Sequence, residues 1–275
     1  MTKPATFLAL LLPLTAAAIS VVAAGSRLAA PDTEVSVIVA KALERANWAQ
    51  EQDVGARFRY SMTQRIRQFD GDGDVTEDET RGYTVEPYEG TPYAKLVTQN
   101  GEPIAGDELE DEAERWQAFL DALEDPPDDD TEEEADSITV LFNAELLDRY
   151  TAELVGIRDV RGRPAYVLEF EPRPGKLPVR RRIDHALNKC RGEIWVDQDT
   201  YEIARVNFEL MDRVRLWWGI LGSVSDATGH FERMSVADNA WLASEIDLYF
   251  HVRALFSTSR RSQTTRWEAF EPIAD

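Results

Sequence analysis

From Arg57 to Arg67 the sequence alternates with a period of two. Phe58, Tyr60, Met62, Gln64 and Ile66 fall on one side, and Arg57, Arg59, Ser61, Thr63, Arg65 and Arg67 on the other. Successive side chains of a strand point to opposite faces, so this run predicts a long strand with one largely apolar face. The pattern recurs. Ala204, Val206, Phe208 and Leu210 alternate with Ile203, Arg205, Asn207 and Glu209, and Leu242, Ile246, Leu248, Phe250 and Val252 oppose Glu245, Asp247, His251 and Arg253. Such strands build a sheet that is greasy on one side and wet on the other, and the greasy side must be covered.

Turn signals divide the strands. Asp70-Gly71-Asp72-Gly73-Asp74 closes the first hairpin, and strands follow through Arg81 to Val85 and Tyr93 to Thr98, with Asn100-Gly101 as the next turn. From Tyr150 onward the chain reads as mostly β. Hairpins form around Arg161-Gly162-Arg163, Gln198-Asp199-Thr200 and Ala237-Asp238-Asn239-Ala240, and a polar strand runs Ser257 to Phe270. In this reading Ile203 to Arg213 is one strand, and about nine or ten antiparallel strands are expected. Helices are expected over about Glu34 to Gln52 and Gly106 to Leu123. Val35, Val39, Ala42, Ala46 and Ala49 mark the buried face of the first, and Leu109, Ala113, Trp116, Leu120 and Leu123 that of the second. A short helix with Ser137 as cap places Ile138, Leu141, Phe142 and Leu146 on one side. The fold class is mainly β (α+β), with one large, highly curved antiparallel sheet.

The first residues point to export. Lys3 precedes an apolar run, Phe7 to Leu12 with Leu14, and Val22-Ala23-Ala24-Gly25 offers small residues for cleavage. Residues 1–25 are expected to be a signal peptide cleaved near Ala24 or Gly25, with 26–275 as a single domain and the periplasm as its compartment. The chain has one cysteine, Cys190, so no intramolecular disulfide forms. The net charge is −21 and the pI about 4.6, which excludes nucleic acid as a partner. Between Asp107 and Asp136 stand sixteen acidic residues against Arg115 alone, so the acidity is mostly one partly disordered insert.

Catalytic and metal signatures are missing. The three histidines, His185, His230 and His251, sit in no zinc spacing, and no nucleophile elbow, phosphate loop or dinucleotide fingerprint is present. Val75 and Arg81 stand where a calcium loop after Asp70 needs glycine and glutamate, so that segment reads as a turn. No catalytic residue, metal or cofactor is expected. Two segments offer contacts to a membrane or a protein partner. One is the basic run around Arg180, Arg181 and Arg182, which reads equally as a solvated linker. The other is Trp217-Trp218 with its flanking glycines, either an apolar lip or a plug for the open end of the barrel.

Two segments carry a family resemblance. In the first half, Gly90-Thr91-Pro92-Tyr93-Ala94-Lys95-Leu96-Val97 and Asn100-Gly101-Glu102-Pro103 follow the helix, long strand, Asp/Gly turn and second strand. In the second half, Gly192-Glu193-Ile194-Trp195-Val196-Asp197 precedes Tyr201-Glu202-Ile203-Ala204-Arg205. This order resembles the outer-membrane lipoprotein-sorting, LolA-like periplasmic carriers. The resemblance implies an unclosed β-barrel whose helices cover a hydrophobic cavity, and acyl chains of a lipid or lipoprotein as the ligand. It also implies relatives that carry lipids and one that senses mislocalised lipoproteins. The chain departs from the carriers in its length, its acidic insert and Trp217-Trp218. The carriers' functional arginine has candidates in Arg57, Arg59 and Arg65 by strand and in none by motif.

The cavity expected on the greasy face is lined by Phe58, Tyr60, Met62, Ile66, Tyr83, Tyr166, Leu168, Phe170, Val206, Phe208, Leu248 and Phe250, with Ile138, Leu141, Phe142 and Leu146 as lid. Each buried CH₂ contributes about 0.8 kcal/mol, so a 16-carbon chain in water costs on the order of 12 kcal/mol, which only an apolar hollow relieves. The function expected is a binding or carrier protein without covalent chemistry. The alternatives are a sensor or scaffold for an envelope protein and, third, a hydrolase.

Overall fold

A computed structural model describes residues 33–125, 142–216, 222–254 and 257–273. The export signal, all of the acidic run after Asp125, Ser137, Ile138, Leu141, Trp217 and Trp218 lie outside the described residues.

The described strands form one antiparallel sheet. They are β1 (Phe58–Phe69), β2 (Val75–Tyr88), β3 (Thr91–Gln99), β4 (Glu102–Pro103), β5 (Tyr150–Val160), β6 (Arg163–Pro172), β7 (Cys190–Asp197), β8 (Ile203–Leu210), β9 (Val214–Leu216), β10 (Gly222–Ala237), β11 (Ala240–Ala254) and β12 (Ser257–Pro272). Their order is β4-β3-β2-β1-β12-β11-β10-β8-β7-β6-β5, with β9 on β10. The sheet is curled and unclosed, because β4 and β5 end the path without meeting. The first long strand pairs with the last one, Gln64 opposite Thr265 and Ile66 opposite Gln263, so the N-terminal hairpins are held by the C-terminus.

Two short strands, β4 and β9, raise the expected count to twelve. The expected strand Ile203 to Arg213 stops at Leu210, where Met211 N–H donates to Lys189 O at 2.8 Å, and the chain re-enters the sheet as β9. At the first hairpin, Asp70 Oδ1 accepts the N–H groups of Asp72, Gly73 and Asp74 at 2.9, 2.9 and 3.0 Å. Gly73 supplies the φ of 97° that this turn needs. The Asp70 side chain serves the turn.

Helix α1 (Thr33–Glu51) lies on the face that carries the even residues of β1. Its Val35, Ile38 and Ala42 are buried against Leu168 of β6 and Val196 of β7. Burying a Val or Ile side chain contributes about 1.5–3 kcal/mol each. Further along, Trp48 packs beside Val54, Phe58, Ala240 and Leu242, and Arg45 bonds Glu202 Oε1 at 2.7 Å and Asn239 O at 2.8 Å. The partners of its C-terminal half sit at one end of the strands, at the start of β8, the β10–β11 turn and the start of β1, while its N-terminal half reaches the middle of β5, β6 and β7 at Leu154, Leu168 and Ile194. Helix α1 therefore runs from the middle of those strands to that end of the sheet.

Helix α2 (Asp107–Glu124) is held at the β2–β3 hairpin by an aromatic cluster, Tyr88, Tyr93, Trp116 and Phe119, with ring centroids 4.8–6.4 Å apart. Glu112 is buried and accepts from Tyr93 Oη at 2.7 Å and from Arg115 at 2.5 Å. Desolvation, reinforced by that carboxylate, pushes the Tyr93 hydroxyl well above its usual range. The contact face is thus turned away from the expected stripe, and Leu109 and Ala113 are exposed. A polar anchor, Glu112, decides the rotation where the apolar spacing alone suggested another one.

A 3-10 turn at Val54–Arg57 and two single-turn α-helices, α3 (Ala144–Leu147) and α4 (Asp184–Leu187), complete the elements of the described residues. Asn143 caps α3 by accepting Leu146 N–H at 2.9 Å.

The wet face is not uniformly wet. Val160, Ala165, Val167, Trp195, Ala204 and Trp241 form a buried cluster there. Ala204 reaches it because the register shifts between Trp195 and Val196, which turns Ala204 away from Val206 and Phe208. The Trp195 ring lies between the guanidinium groups of Arg158 (5.7 Å) and Arg205 (4.7 Å). Glu232, buried beside them, accepts from Arg161 at 2.5 Å and from Arg205. Burial pushes the Glu232 carboxyl up, but the two arginines outweigh it and hold it below its ordinary value. The arginines of this face cover tryptophan as well as meeting solvent.

Candidate ligand-binding face

The pairing register lays out the face under α1 in rungs. One rung crosses eight strands: Gln64, Thr265, Ile246, Phe231, Val206, Ile194, Leu168 and Leu154. The next, one step farther from α1, is Ile66, Gln263, Leu248, Gly229, Phe208, Gly192, Phe170 and Ala152. A third holds Gln68, Arg261, Phe250 and Ala227. On the other side Met62 faces Tyr83, and Tyr60 faces Val85 and meets the Phe270 ring at 5.4 Å.

All twelve residues expected to line a cavity therefore share one face of the sheet. They divide by cover. Phe58 packs under Trp48 of α1, and Leu168 and Tyr166 under Val35 and Ile38. Tyr83, Ile66 and Phe170 are buried. Met62, Val206, Phe208, Leu248 and Phe250 are half-buried and belong to none of the three buried clusters. Helix α1 closes one end of this face, while its middle and far end carry aromatic and aliphatic side chains without a helix over them among the described residues. Of the expected lid, Phe142 packs on the α1 cluster and Leu146 is half-buried.

Two glycines flanking Phe208 shape the second rung. Gly192 and Gly229 both face Phe208, and a Cβ on Gly229 would come within 2.1 Å of the Phe208 ring. The ring lies over the bare backbone of Gly229. A side chain at Gly229 would displace the ring, whereas one at Gly192 would meet the backbone carbonyl of Asn207.

The greasy face also carries a polar strip on β2, β1 and β12. Arg81 pairs with Glu79 at 2.8 Å, Gln99 donates to Glu79 at 2.9 Å, and Gln64 and Thr265 are buried beside them. Sequence reasoning took β12 as simply polar and missed this strip. Its signal was Trp267, which stands in the same alternation as Arg261, Gln263 and Thr265 and faces Met62.

Two shallow cavities, about 340 Å³ and about 420 Å³, open on the opposite, polar face. The smaller is lined by Arg67, His230, Asp247, Tyr249, Ser262 and Thr264 among others. His230 Nδ1 lies 2.7 Å from Asn207 Oδ1, and no hydrogen bond joins His230 to a serine among the described residues. Among the described residues no group of three or more His, Cys, Asp or Glu side chains is arranged to hold a metal ion. Cys190 is buried, and burial pushes its thiol up to about 11.

The basic run is built into the fold. Asp184, fully buried, accepts the N–H groups of Arg180 and Arg181 at 2.7 and 3.0 Å and pairs with buried Arg149 at 3.1 Å. Arg180 lies 3.4 Å from Glu145, and Arg191 pairs with Glu209 at 2.6 Å. Arg57, Arg59 and Arg65, the candidates for a carrier's functional arginine, are likewise engaged. Arg57 bonds Gln52 at 2.8 Å, Arg59 pairs with Glu271 at 2.6 Å and Arg65 with Asp78 at 2.5 Å. Among the described residues no helix is long and apolar enough to cross a membrane.

No protein-family model matches the chain, and no curated protein matches it. The expected resemblance does appear among solved structures. An outer membrane lipoprotein-sorting protein domain from Vibrio parahaemolyticus shares 12% identity over 86% of this chain and 94% of that one, with a TM-score of 0.37. A DUF1329 family protein from Desulfovibrio piger shares 15% over 87% and 93%, with a TM-score of 0.33. A LolA superfamily protein from Nitrosomonas europaea shares 13% over 86% and 94%, with a TM-score of 0.29. Values this low carry nothing about ligand or activity.

Proposed function

We propose that the protein is a periplasmic binding or carrier protein that holds acyl chains of a lipid or lipoprotein on the α1 face, with no covalent step. One observation carries this reading: Val206, Phe208, Leu248 and Phe250 stand side by side on that face, half-buried and outside every packed cluster. A contiguous apolar surface left open in this way marks a binding site. The likeness to lipoprotein-sorting structures is one of fold and adds no argument about the ligand. In this reading the twelve face residues form the cavity lining, and 26–275 act as one domain behind a cleaved signal.

Native mass spectrometry of protein purified without detergent tests the proposal. Retained lipid, or uptake of palmitate by delipidated protein, is the expected result. An apo mass with no uptake refutes it. A second reading, recognition of an envelope protein, rests on β5. This edge strand has no strand on its outer side among the described residues, and Val155 and Ile157 are exposed. A stoichiometric protein partner that survives delipidation would favour it.

A further inference from the structure

We infer that Arg261 is the head-group site of this binding face and takes an anionic group, a carboxylate or phosphate, on the end of the bound chain. The inference rests on the acyl-binding reading and adds to it the chemistry of the ligand's polar end.

Arg261 stands on β12 between Gln68 of β1 and Phe250 of β11. That places it on the apolar face, in the rung farthest from α1. Its Nε atom is buried and has no hydrogen-bond partner, and no ion pair to it forms among the described residues. Another cation of this face, Arg81, is neutralised by Glu79 at 2.8 Å. Several arginines of the opposite face are likewise paired: Arg65 with Asp78, Arg266 with Glu245, Arg205 and Arg161 with Glu232. Arg261 as a whole is half-buried, and an arriving anion supplies the partner that its Nε lacks, with charge-assisted bonds. The carboxylate beside this rung, Glu77, accepts from Gln68.

Position fits an amphipathic ligand. Phe250 lies eight residues along β11 from Leu242, which packs next to Trp48 of α1. At about 3.4 Å per residue this is about 27 Å. The hydrocarbon of one bilayer leaflet is about 15 Å deep. A chain whose acidic end meets Arg261 therefore runs past Phe250, Leu248 and Phe208 and ends before the closed end of the face.

The test is a displacement titration on delipidated protein with an uncharged naphthylamine dye as the apolar probe. Palmitate, hexadecyl phosphate and hexadecanol compete against it on the unaltered chain, Arg261→Gln and Arg261→Lys. The two acids should bind about tenfold or more tightly than the alcohol, since a hydrogen bond to a charged group is worth at least that factor. Arg261→Gln should abolish the preference by weakening the two acids, and Arg261→Lys should retain part of it. Equal affinity for all three ligands on the unaltered chain overturns the head-group assignment but leaves acyl binding standing. So does an acid preference that survives Arg261→Gln. Binding of none of the three defeats the acyl-binding reading itself. Inorganic phosphate alone should neither displace the dye nor raise the melting temperature. Stabilisation by phosphate that is lost in Arg261→Gln would make this a free-anion site and overturn the lipid assignment. The preference on the unaltered chain needs no variant, so misfolding of Arg261→Gln cannot hide the answer.

Discussion

Replacing Gly229 by alanine should strain the binding face through a single ring. A Cβ at this position would sit 2.1, 2.2 and 3.0 Å from three atoms of the Phe208 ring, well inside van der Waals contact. The backbone at Gly229 is held between Phe208 of β8 and Leu248 of β11, so the ring must move. Forcing an extra methyl into a packed contact costs about 1–3 kcal/mol. Removing the ring with Phe208→Ala should cost less than the ~3–5 kcal/mol of a fully buried phenylalanine, because Phe208 is half-buried. In the double variant the added methyl no longer meets a ring. The combined loss in urea unfolding should therefore fall short of the sum of the single losses by about 1 kcal/mol or more. The same cycle read by dye binding should show Gly229→Ala weakening uptake, with Phe208→Ala suppressing that effect. Additivity within about 0.5 kcal/mol would mean that the two side chains do not compete for one place, and the layout of the second rung would be wrong.

Two further outcomes follow from the buried polar groups. Asp184, Asp197 and Glu232 are each pushed up by desolvation but held below their ordinary values by hydrogen bonds and arginines. Lowered native values mean stability that is complete above the unfolded values of 3.8 and 4.5 and is lost as pH falls through the native ones. The urea midpoint at fixed ionic strength should fall steadily below about pH 4.5, and Asp197→Asn should flatten part of that slope. A midpoint unchanged down to about pH 3 would contradict the sign. Cys190, buried and with its thiol at about 11, should resist an aromatic disulfide reagent at about pH 8 in the native protein and react at once in urea. Rapid labelling of the folded chain would refute its placement.

The strands were legible because alternation is a local property. Phe58 to Ile66 and Leu242 to Phe250 state which side of a strand is apolar without reference to any neighbour, and the Asp70 turn and Asn100-Gly101 state where the chain reverses. Of the residues that this alternation put on the greasy side, Met62, Ile66, Val206, Phe208, Leu248 and Phe250 do share one face. Decisions between elements were not local. That β1 pairs with β12, that a register shift turns Ala204 into the Trp195 cluster, and that Glu112 rather than Leu109 seats α2 all depend on partners outside the segment itself. Arg261 belongs to this second kind. In the sequence it stands in a polar strand that carries no mark of which side faces the apolar surface. Only the assembled sheet places its buried Nε beside Phe250, where its charge has no counterpart among the described residues.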